Sequence, residues 1–260
     1  MKPASLTLLL LISAICPLAA EPSVLTLNSD TPPRDNFQVV TGNAIKADSD
    51  VFKSGGRYCA VAFGNDSGAG GKDVTVNGVK FYLLEPPTSQ GTNPAPKSVS
   101  FENDGITISE TSADRSIPTS SKQAPFINLS SSYRTLLSYS SFRGDPDPGA
   151  GEMRVRYFNI KGLDNTHKYR IQIWCNDSRE RQETKTGGRT FLGVGDGGKN
   201  EIKYSDGSTD RLYVYNNRDK AGMDGGLGSY FDGICEPGPG DFFGFKTEGI
   251  VNAINVQELP

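Results

Sequence analysis

The chain has 260 residues, of which 35% are hydrophobic, and its 27 lysine and arginine residues stand against 30 aspartate and glutamate residues. The resulting formal net charge of −3, without a basic stripe, disfavours nucleic-acid binding. A single histidine, His167, and the absence of any two cysteines at ligand spacing in the sequence disfavour a zinc site.

The first predicted element is a secretory signal peptide over residues 1–20. Lys2 precedes an apolar run over residues 6–15, which breaks at Pro17 and reaches the small residue Ala20. This order is typical of an export signal. The run has about ten residues, whereas a helix needs about twenty to cross the hydrocarbon. We therefore expect cleavage after Ala20 and a secreted or periplasmic protein without a membrane span.

Three cysteines remain after removal of the signal peptide, namely Cys59, Cys175 and Cys235. Three cysteines cannot all pair within one chain, and an oxidising compartment favours disulfide formation. We predict one disulfide and one buried thiol. The spacing does not tell which two cysteines pair.

Residues 21–56 are polar and are predicted to form a leading segment with one or two strands at most, ahead of a domain over residues 57–260. Within this domain, short runs of Val, Ile, Phe and Tyr alternate with turn clusters of Gly, Asn, Asp and Ser. This alternation predicts an all-β fold. The predicted strands cover residues 58–63, 74–84, 99–102, 106–109, 153–160, 168–175, 190–194, 201–204, 212–215, 230–235, 241–245 and 250–256.

One short helix is predicted over residues 131–137. Its serines offer an N-terminal cap, and Tyr133 and Leu137 stand at i and i+4, so one face of the helix should lie on a sheet. Elsewhere the 30 glycines make further helices improbable, because glycine is a poor helix former.

The strands 153–160 and 168–175 have apolar residues with period two and are predicted to form a hairpin. Met153, Val155 and Tyr157 of the first strand should face the core, with Arg154 and Arg156 on the alternate face. In the second strand Ile171 and Ile173 belong to the set that faces the core. Trp174 belongs to the alternate set and should point away from this core, beside arginine side chains.

The predicted outward direction of Trp174 suggests a candidate ligand site. A flat aromatic ring beside hydrogen-bonding side chains can bind a sugar, since the ring stacks on the C–H face of the sugar and the neighbours bond to its hydroxyls. Two alternatives stay open: the helix, a loop or a neighbouring arginine covers the indole, and the loop residues form only a turn with an internal ion pair. The candidate residues are Trp174 as platform, Arg170 and Gln172 as hydroxyl partners, and Asp177 and Arg179 as rim contacts.

Residues spread over positions 57–259 follow a recurrent order. They are Ala62, Phe63 and Gly64, then Val76, Asn77, Gly78, Val79 and Phe81, then Gly162, Leu163, Tyr169, Gln172, Trp174 and Asn176 to Arg179, then Gly228, Tyr230 and Gly233, and last Asn252, Ala253, Ile254 and Val256. This order resembles a group of secreted bacterial proteins with a galactose-binding-like domain, many of which end in a surface-sorting tail. The resemblance implies an all-β, galactose-binding-like β-sandwich (jelly roll) that often holds carbohydrate, and it implies no catalytic residues. The chain lacks the sorting tail, and Cys175 and Cys235 depart from the pattern.

A loop with Asp145, Asp147 and Glu152 is dense in carboxylates, which calcium prefers as ligands. Its spacing is not that of an EF-hand, and a solvated turn is the favoured interpretation. We therefore predict no metal or cofactor, with calcium at this loop as the open alternative.

Catalysis by a serine or cysteine nucleophile has little support, because His167 is the single histidine and no Gly-x-Ser-x-Gly elbow is present. We expect a secreted, non-catalytic recognition module that binds carbohydrate or another cell-envelope component. One alternative is a polysaccharide-active hydrolase or lyase, since glycoside cleavage needs only two carboxylates. The other is a structural envelope protein that associates through its strand edges.

Overall fold

The computed structural model describes residues 21–28, 43–64, 72–85, 97–113, 115–142, 155–179, 189–195, 200–204, 212–216 and 226–260. The predicted signal peptide and the carboxylate-rich loop lie outside these residues. One α-helix is described, α1 (Ser131–Leu137), with short 3-10 turns at Asp48–Asp50 and Phe126–Asn128. The strands are β1 (Ser23–Asn28), β2 (Asn43–Ala44), β3 (Tyr58–Phe63), β4 (Val74–Val76), β5 (Val79–Leu84), β6 (Lys97–Asn103), β7 (Ile106–Ala113), β8 (Arg115–Pro118), β9 (Tyr139–Phe142), β10 (Arg156–Lys161), β11 (Tyr169–Cys175), β12 (Arg189–Val194), β13 (Asn200–Tyr204), β14 (Leu212–Tyr215), β15 (Ser229–Glu236), β16 (Phe242–Glu248) and β17 (Ala253–Glu258).

Two large sheets contain most of these strands. Sheet A has the order β13-β1-β15-β11-β17-β3-β5-β4, and β2 also pairs with β15. Sheet B has the order β14-β12-β16-β10-β7-β6, while β8 and β9 form a separate ribbon. The prediction of an all-β sandwich with one short helix is confirmed. In the described part of the chain, no helix has the length and apolar character needed to cross a bilayer.

The main core lies between the two sheets, where each strand contributes alternate side chains. Ile171 and Ile173 of sheet A are buried in it, and so are Phe158 and Phe245 of sheet B, whose rings stack with centroids 5.0 Å apart. Because successive strand residues point to opposite faces, the period-two pattern of the sequence fixes which side chains enter this core. Each large apolar side chain buried there contributes about 1.5–3 kcal/mol.

A second core lies on the outer face of sheet A, under helix α1. The helix begins at a cap in which the Ser130 hydroxyl accepts a hydrogen bond of 3.1 Å from the Tyr133 backbone N–H. Tyr133, Leu136 and Leu137 are buried against this face together with Phe81 of β5. The helix thus lies on the sheet by one face, as predicted, and it covers the outer side of β11.

The predicted hairpin of residues 153–160 and 168–175 is wrong. β10 pairs with β7 and β16 in sheet B, whereas β11 pairs with β15 and β17 in sheet A. The connecting segment crosses between the sheets, because Leu163 is fully buried in the main core and its N–H bonds to the Asp241 carbonyl at 3.1 Å. Both strands were predicted, but the phase predicted for the first one is wrong: Arg156, Phe158 and Ile160 of β10 are buried, whereas Tyr157 is half-buried on the outer face. The crossing of the connection from one sheet to the other was not predicted either.

The predicted disulfide is also wrong, since Cys59, Cys175 and Cys235 are all buried free thiols. Cys175 stands opposite Ser229 on β15, six residues from Cys235. At about 3.3 Å per residue these two cysteines are roughly 20 Å apart, far beyond the reach of a disulfide. Burial raises the pKa of Cys59 and of Cys175 to about 12 and also raises that of Cys235, so the thiols stay protonated at neutral pH.

Residues 21–28 belong to the sandwich itself. β1 lies between β13 and β15 in sheet A, parallel to the former and antiparallel to the latter. Leu25 and Leu27 of this strand are buried in the main core. The N-terminal residues after the predicted signal peptide therefore form an internal strand, ahead of the residue at which the domain was predicted to start.

Candidate functional site

The indole of Trp174 points away from Ile171 and Ile173, as the strand phase predicts, but it is fully buried. Its Nε1–H donates a hydrogen bond of 3.0 Å to the Tyr133 hydroxyl of α1. The ring of Tyr230 stacks on it at 5.6 Å. The prediction of an exposed indole is wrong, because helix α1 covers this face, as one of the two alternatives anticipated. No ligand can stack on this ring in the folded structure.

Gln172 is likewise fully buried and binds the chain rather than solvent. Its side-chain oxygen accepts a hydrogen bond of 2.8 Å from the Phe52 N–H, and its amide donates one of 2.9 Å to the Asp50 carbonyl. These bonds fix residues 50–52 over the sheet. A role as a hydroxyl partner for a ligand is therefore closed to Gln172 in this structure.

Arg170 is half-buried and forms two hydrogen bonds with Asp232, at 2.8 and 2.7 Å. These bonds raise the pKa of the Arg170 guanidinium. The guanidinium also lies 4.3 Å from the centroid of the Phe52 ring. Its donors are thus directed to a carboxylate on the adjacent strand β15 and not to an open surface.

Asp177 and Arg179 form an ion pair within their own loop, with nitrogen–oxygen distances of 2.7 and 2.8 Å. Asp177 is only 3% exposed, and the pair raises the pKa of Arg179. This is the turn with an internal ion pair that was left open as an alternative. The five predicted site residues therefore serve the covered side of sheet A and its rim, and they do not line a common cavity.

Two adjoining clefts lie at the opposite end of β11, around His167. Their volumes are about 540 and 520 Å³, and they share Asn165, His167 and Pro239. We call them the His167 clefts. In the larger one, Glu258 accepts a hydrogen bond of 2.6 Å from Arg57. Hydrogen bonds from the Thr166 hydroxyl and N–H lower the pKa of Asp164. These carboxylates are thus already bonded to protein groups.

The outer face of sheet B differs from that of sheet A. Phe158 and Ile160 of β10 face the core, so Tyr157, Asn159 and Lys161 face outwards. Lys161 is exposed, and the other two are half-buried. No helix of the described chain packs on this face.

Short side chains form a central row across this face. Asn159 is in register with Gly244 of β16 on one side and with Ser109 of β7 on the other, and Ser109 pairs in turn with Ser100 of β6. The row runs perpendicular to the strands. The longest side chain in this row is that of an asparagine, so the surface of the sheet lies lower along the row than beside it.

Longer side chains flank the central row at β10 and β16. On one side Lys246 pairs with Tyr157, and on the other Phe242 pairs with Lys161. Residues two apart on a strand lie about 7 Å apart, so the two flanking rows are separated by about 13 Å. The row of short side chains is thereby bounded into a recess above Gly244, which we call the Gly244 recess.

Three groups converge on the floor of the Gly244 recess. A Cβ placed on Gly244 would lie 2.9 Å from Asn159 Oδ1, 3.3 Å from Asn200 Nδ2 and 3.4 Å from a ring carbon of Phe242. Gly244 is buried, and these three side chains lie directly over it, so any larger residue would have to displace one of them. The Asn200 amide reaches this point from the first residue of β13, which belongs to the other sheet.

Asn200 is the unusual member of this group. It is only 7% exposed, yet neither its Nδ2 nor its Oδ1 has a hydrogen-bond partner. Leaving a buried polar group unpaired costs about 1–3 kcal/mol, so such groups in native proteins call for an explanation. The polar groups of the His167 clefts are largely paired, whereas this amide is directed at a recess without a partner. The Gly244 recess is therefore the preferred candidate site.

Sequence reasoning missed this site. The alternation Phe243, Gly244, Phe245 indicates that Gly244 faces outwards, but nothing in the pattern places Asn200 above it. Their proximity comes from two strands in different sheets. Among the described residues, no group of three His, Cys, Asp or Glu side chains could hold a metal ion.

Comparison with protein-family models, with curated proteins and with solved structures gave no match to this chain. The resemblance to galactose-binding-like proteins therefore stays a prediction.

Proposed function

We propose that the protein is a secreted, non-catalytic recognition module that binds carbohydrate, such as a polysaccharide of the cell envelope, at the Gly244 recess. One observation carries the proposal: the buried amide of Asn200 lacks partners and lies over Gly244, on a sheet face on which no helix of the described residues packs. The predicted signal peptide and the resemblance to galactose-binding-like jelly rolls support export and carbohydrate as the ligand class.

The chemistry of the recess suits a sugar. A carboxamide offers a donor and an acceptor side by side, and a sugar hydroxyl can satisfy either. Bonding to a hydroxyl would relieve the cost of about 1–3 kcal/mol that the unpaired Asn200 amide carries. Phe242 and Tyr157 are half-buried at the two sides of the recess, where they offer aromatic surface to the C–H groups of a sugar.

The described residues that bound the recess argue against hydrolysis at this place. They are Asn159, Asn200, Gly244, Phe242, Tyr157, Lys161 and Lys246, and none of them is a carboxylate. Glycoside cleavage by the usual route needs two carboxyl groups that flank the bond. Recognition without turnover is therefore the function that this set of groups supports best.

The test is affinity electrophoresis of the purified protein in native gels that contain single polysaccharides. We expect retardation in at least one gel and at least a tenfold weaker interaction for Gly244→Ala, whose added Cβ would displace the Asn159 and Asn200 amides. Asn165→Ala is the matched control, because it alters the His167 clefts only. Retention of full binding by Gly244→Ala, or loss of binding in Asn165→Ala alone, would move the site to the clefts. If no polysaccharide retards the protein, the proposed function is wrong.

A further inference from the structure

Two lysines flank the Gly244 recess on opposite sides. Lys246 lies two residues beyond Gly244 on β16, and Lys161 lies two residues beyond Asn159 on β10. Both project from the same outer face as the recess, since each lies two positions along its strand from a residue of the central row. The recess is therefore flanked by one lysine on each side, and the Lys246 side chain extends over its register partner Gly193 on β12.

Lys161 and Lys246 differ in their pairing from three other lysines of the sandwich. Lys80, Lys168 and Lys203 each have a carboxylate within 4 Å, at 2.9, 2.5 and 3.6 Å. Lys161 and Lys246 form no ion pair among the described residues. The acidic side chains of the same face stand farther from the recess: Glu102 lies two strands from Lys161, and Glu248 lies outside the row of Lys246.

We propose that the ligand of the Gly244 recess is an acidic polysaccharide of the uronic acid class, an inference that rests on the proposed function. Carboxylates of the chain pair with Lys161 and Lys246, while hydroxyls of the sugar between them bond to the Asn159 and Asn200 amides. Charge complementarity argues for this occupant: the protein has a net charge of −3, yet two lysines without an ion pair among the described residues flank the recess.

The arrangement also accounts for the shape of the site. Lysine side chains are long and flexible, so the two ammonium groups can approach a chain that lies along the central row of short side chains. The amides and the aromatic walls then contact uncharged parts of the sugar. Affinity for an acidic chain should fall with ionic strength, because exposed ion pairs are screened by salt.

The test measures binding of polygalacturonate and of neutral galactan by the protein and by lysine variants. Lys161→Gln and Lys246→Gln are each expected to weaken polygalacturonate binding by roughly 2- to 5-fold, the range of an exposed ion pair. Lys161→Arg and Lys246→Arg, which keep the charge, should retain binding. Lys168→Gln is the matched control, since it removes one positive charge at the His167 clefts instead.

The outcomes separate the two proposals. Galactan bound as tightly as polygalacturonate, with no effect of either Lys→Gln variant, overturns the acidic ligand and leaves carbohydrate recognition standing. An equal loss in Lys168→Gln also overturns it, because the effect would then be one of net charge. Binding of neither polymer, together with no retardation by any other polysaccharide, defeats the proposed function itself.

Discussion

The outer faces of the two sheets have similar composition but differ in how far other parts of the chain cover them. On sheet A, alternate residues of β11 bring Trp174, Gln172 and Arg170 to a face that α1 and residues 50–52 then cover. On sheet B, alternate residues of β10 and β16 bring Tyr157, Asn159 and Phe242 to a face on which no helix of the described part of the chain packs. The covered face has its polar groups bonded to protein, and the other face keeps an unpaired amide.

The difference teaches that strand phase and exposure are separate properties. Phase says to which side of a sheet a residue points, and for Trp174 that side was predicted as observed. Exposure depends on whether another layer packs on that side, which a strand does not encode. An aromatic residue among polar neighbours is thus half-buried at the surface of one sheet and lies in a second core on the other.

The largest expected effect is a loss of stability when the core on the outer face of sheet A is disrupted. Trp174→Ala should lower the free energy of unfolding by about 3–5 kcal/mol, because it leaves a large cavity under α1 and removes the bond to Tyr133. Chemical denaturation followed by circular dichroism measures this. Polysaccharide binding by the folded fraction should be unchanged. A stable Trp174→Ala protein that has lost binding would return the ligand site to sheet A.

A smaller effect comes from a matched pair of amides, one on each face. Gln172→Ala should cost about 1–3 kcal/mol of stability, since the buried Phe52 N–H and Asp50 carbonyl lose their partner, and it should leave binding intact. Asn159→Ala should show the opposite, with stability changed by under about 0.5 kcal/mol and binding weakened. Equal effects of the two variants on both properties would contradict the distinction between the faces.

The smallest effect concerns Asp73, which precedes β4 at the edge of sheet A. Hydrogen bonds from the Leu83 N–H and from Lys80 lower the pKa of Asp73 below its ordinary 3.8. The carboxylate therefore stabilises the fold above about pH 4, and this contribution is lost as the pH falls through the lowered pKa. Asp73→Asn should cost under about 1 kcal/mol at pH 7 and nothing near pH 2. A cost that persists at pH 2 would exclude the carboxylate charge as its source.

Much of the fold was predictable from local pattern. Strand β3 was predicted at its observed bounds and so was α1, because alternation and a serine cap are written in consecutive residues. The partners of the strands were not predictable. β10 and β11 have the pattern of a hairpin, yet the buried Leu163 between them leads the chain into the other sheet.

The candidate site could not be predicted from the sequence, because it also depends on which strands lie next to each other. Asn200 and Gly244 are far apart in sequence and lie on strands of different sheets, so only the tertiary structure brings them together. The sequence around Asn200 predicts a strand, and it gives no sign that the Asn200 side chain has a role in binding. A glycine between two buried phenylalanines was the one local hint, since it leaves an outward position without a side chain.

The central claim is that the Asn200 amide is kept unpaired for a ligand, and Asn200→Leu tests it most directly. Leucine has a similar size and no polar atoms, so the variant should raise the free energy of unfolding by about 1 kcal/mol, since an unpaired buried amide is removed. The same sample should bind polysaccharide at least tenfold more weakly than the unmodified protein. A variant that is less stable and binds as before would show that the amide serves the fold, and the account of the recess would be wrong.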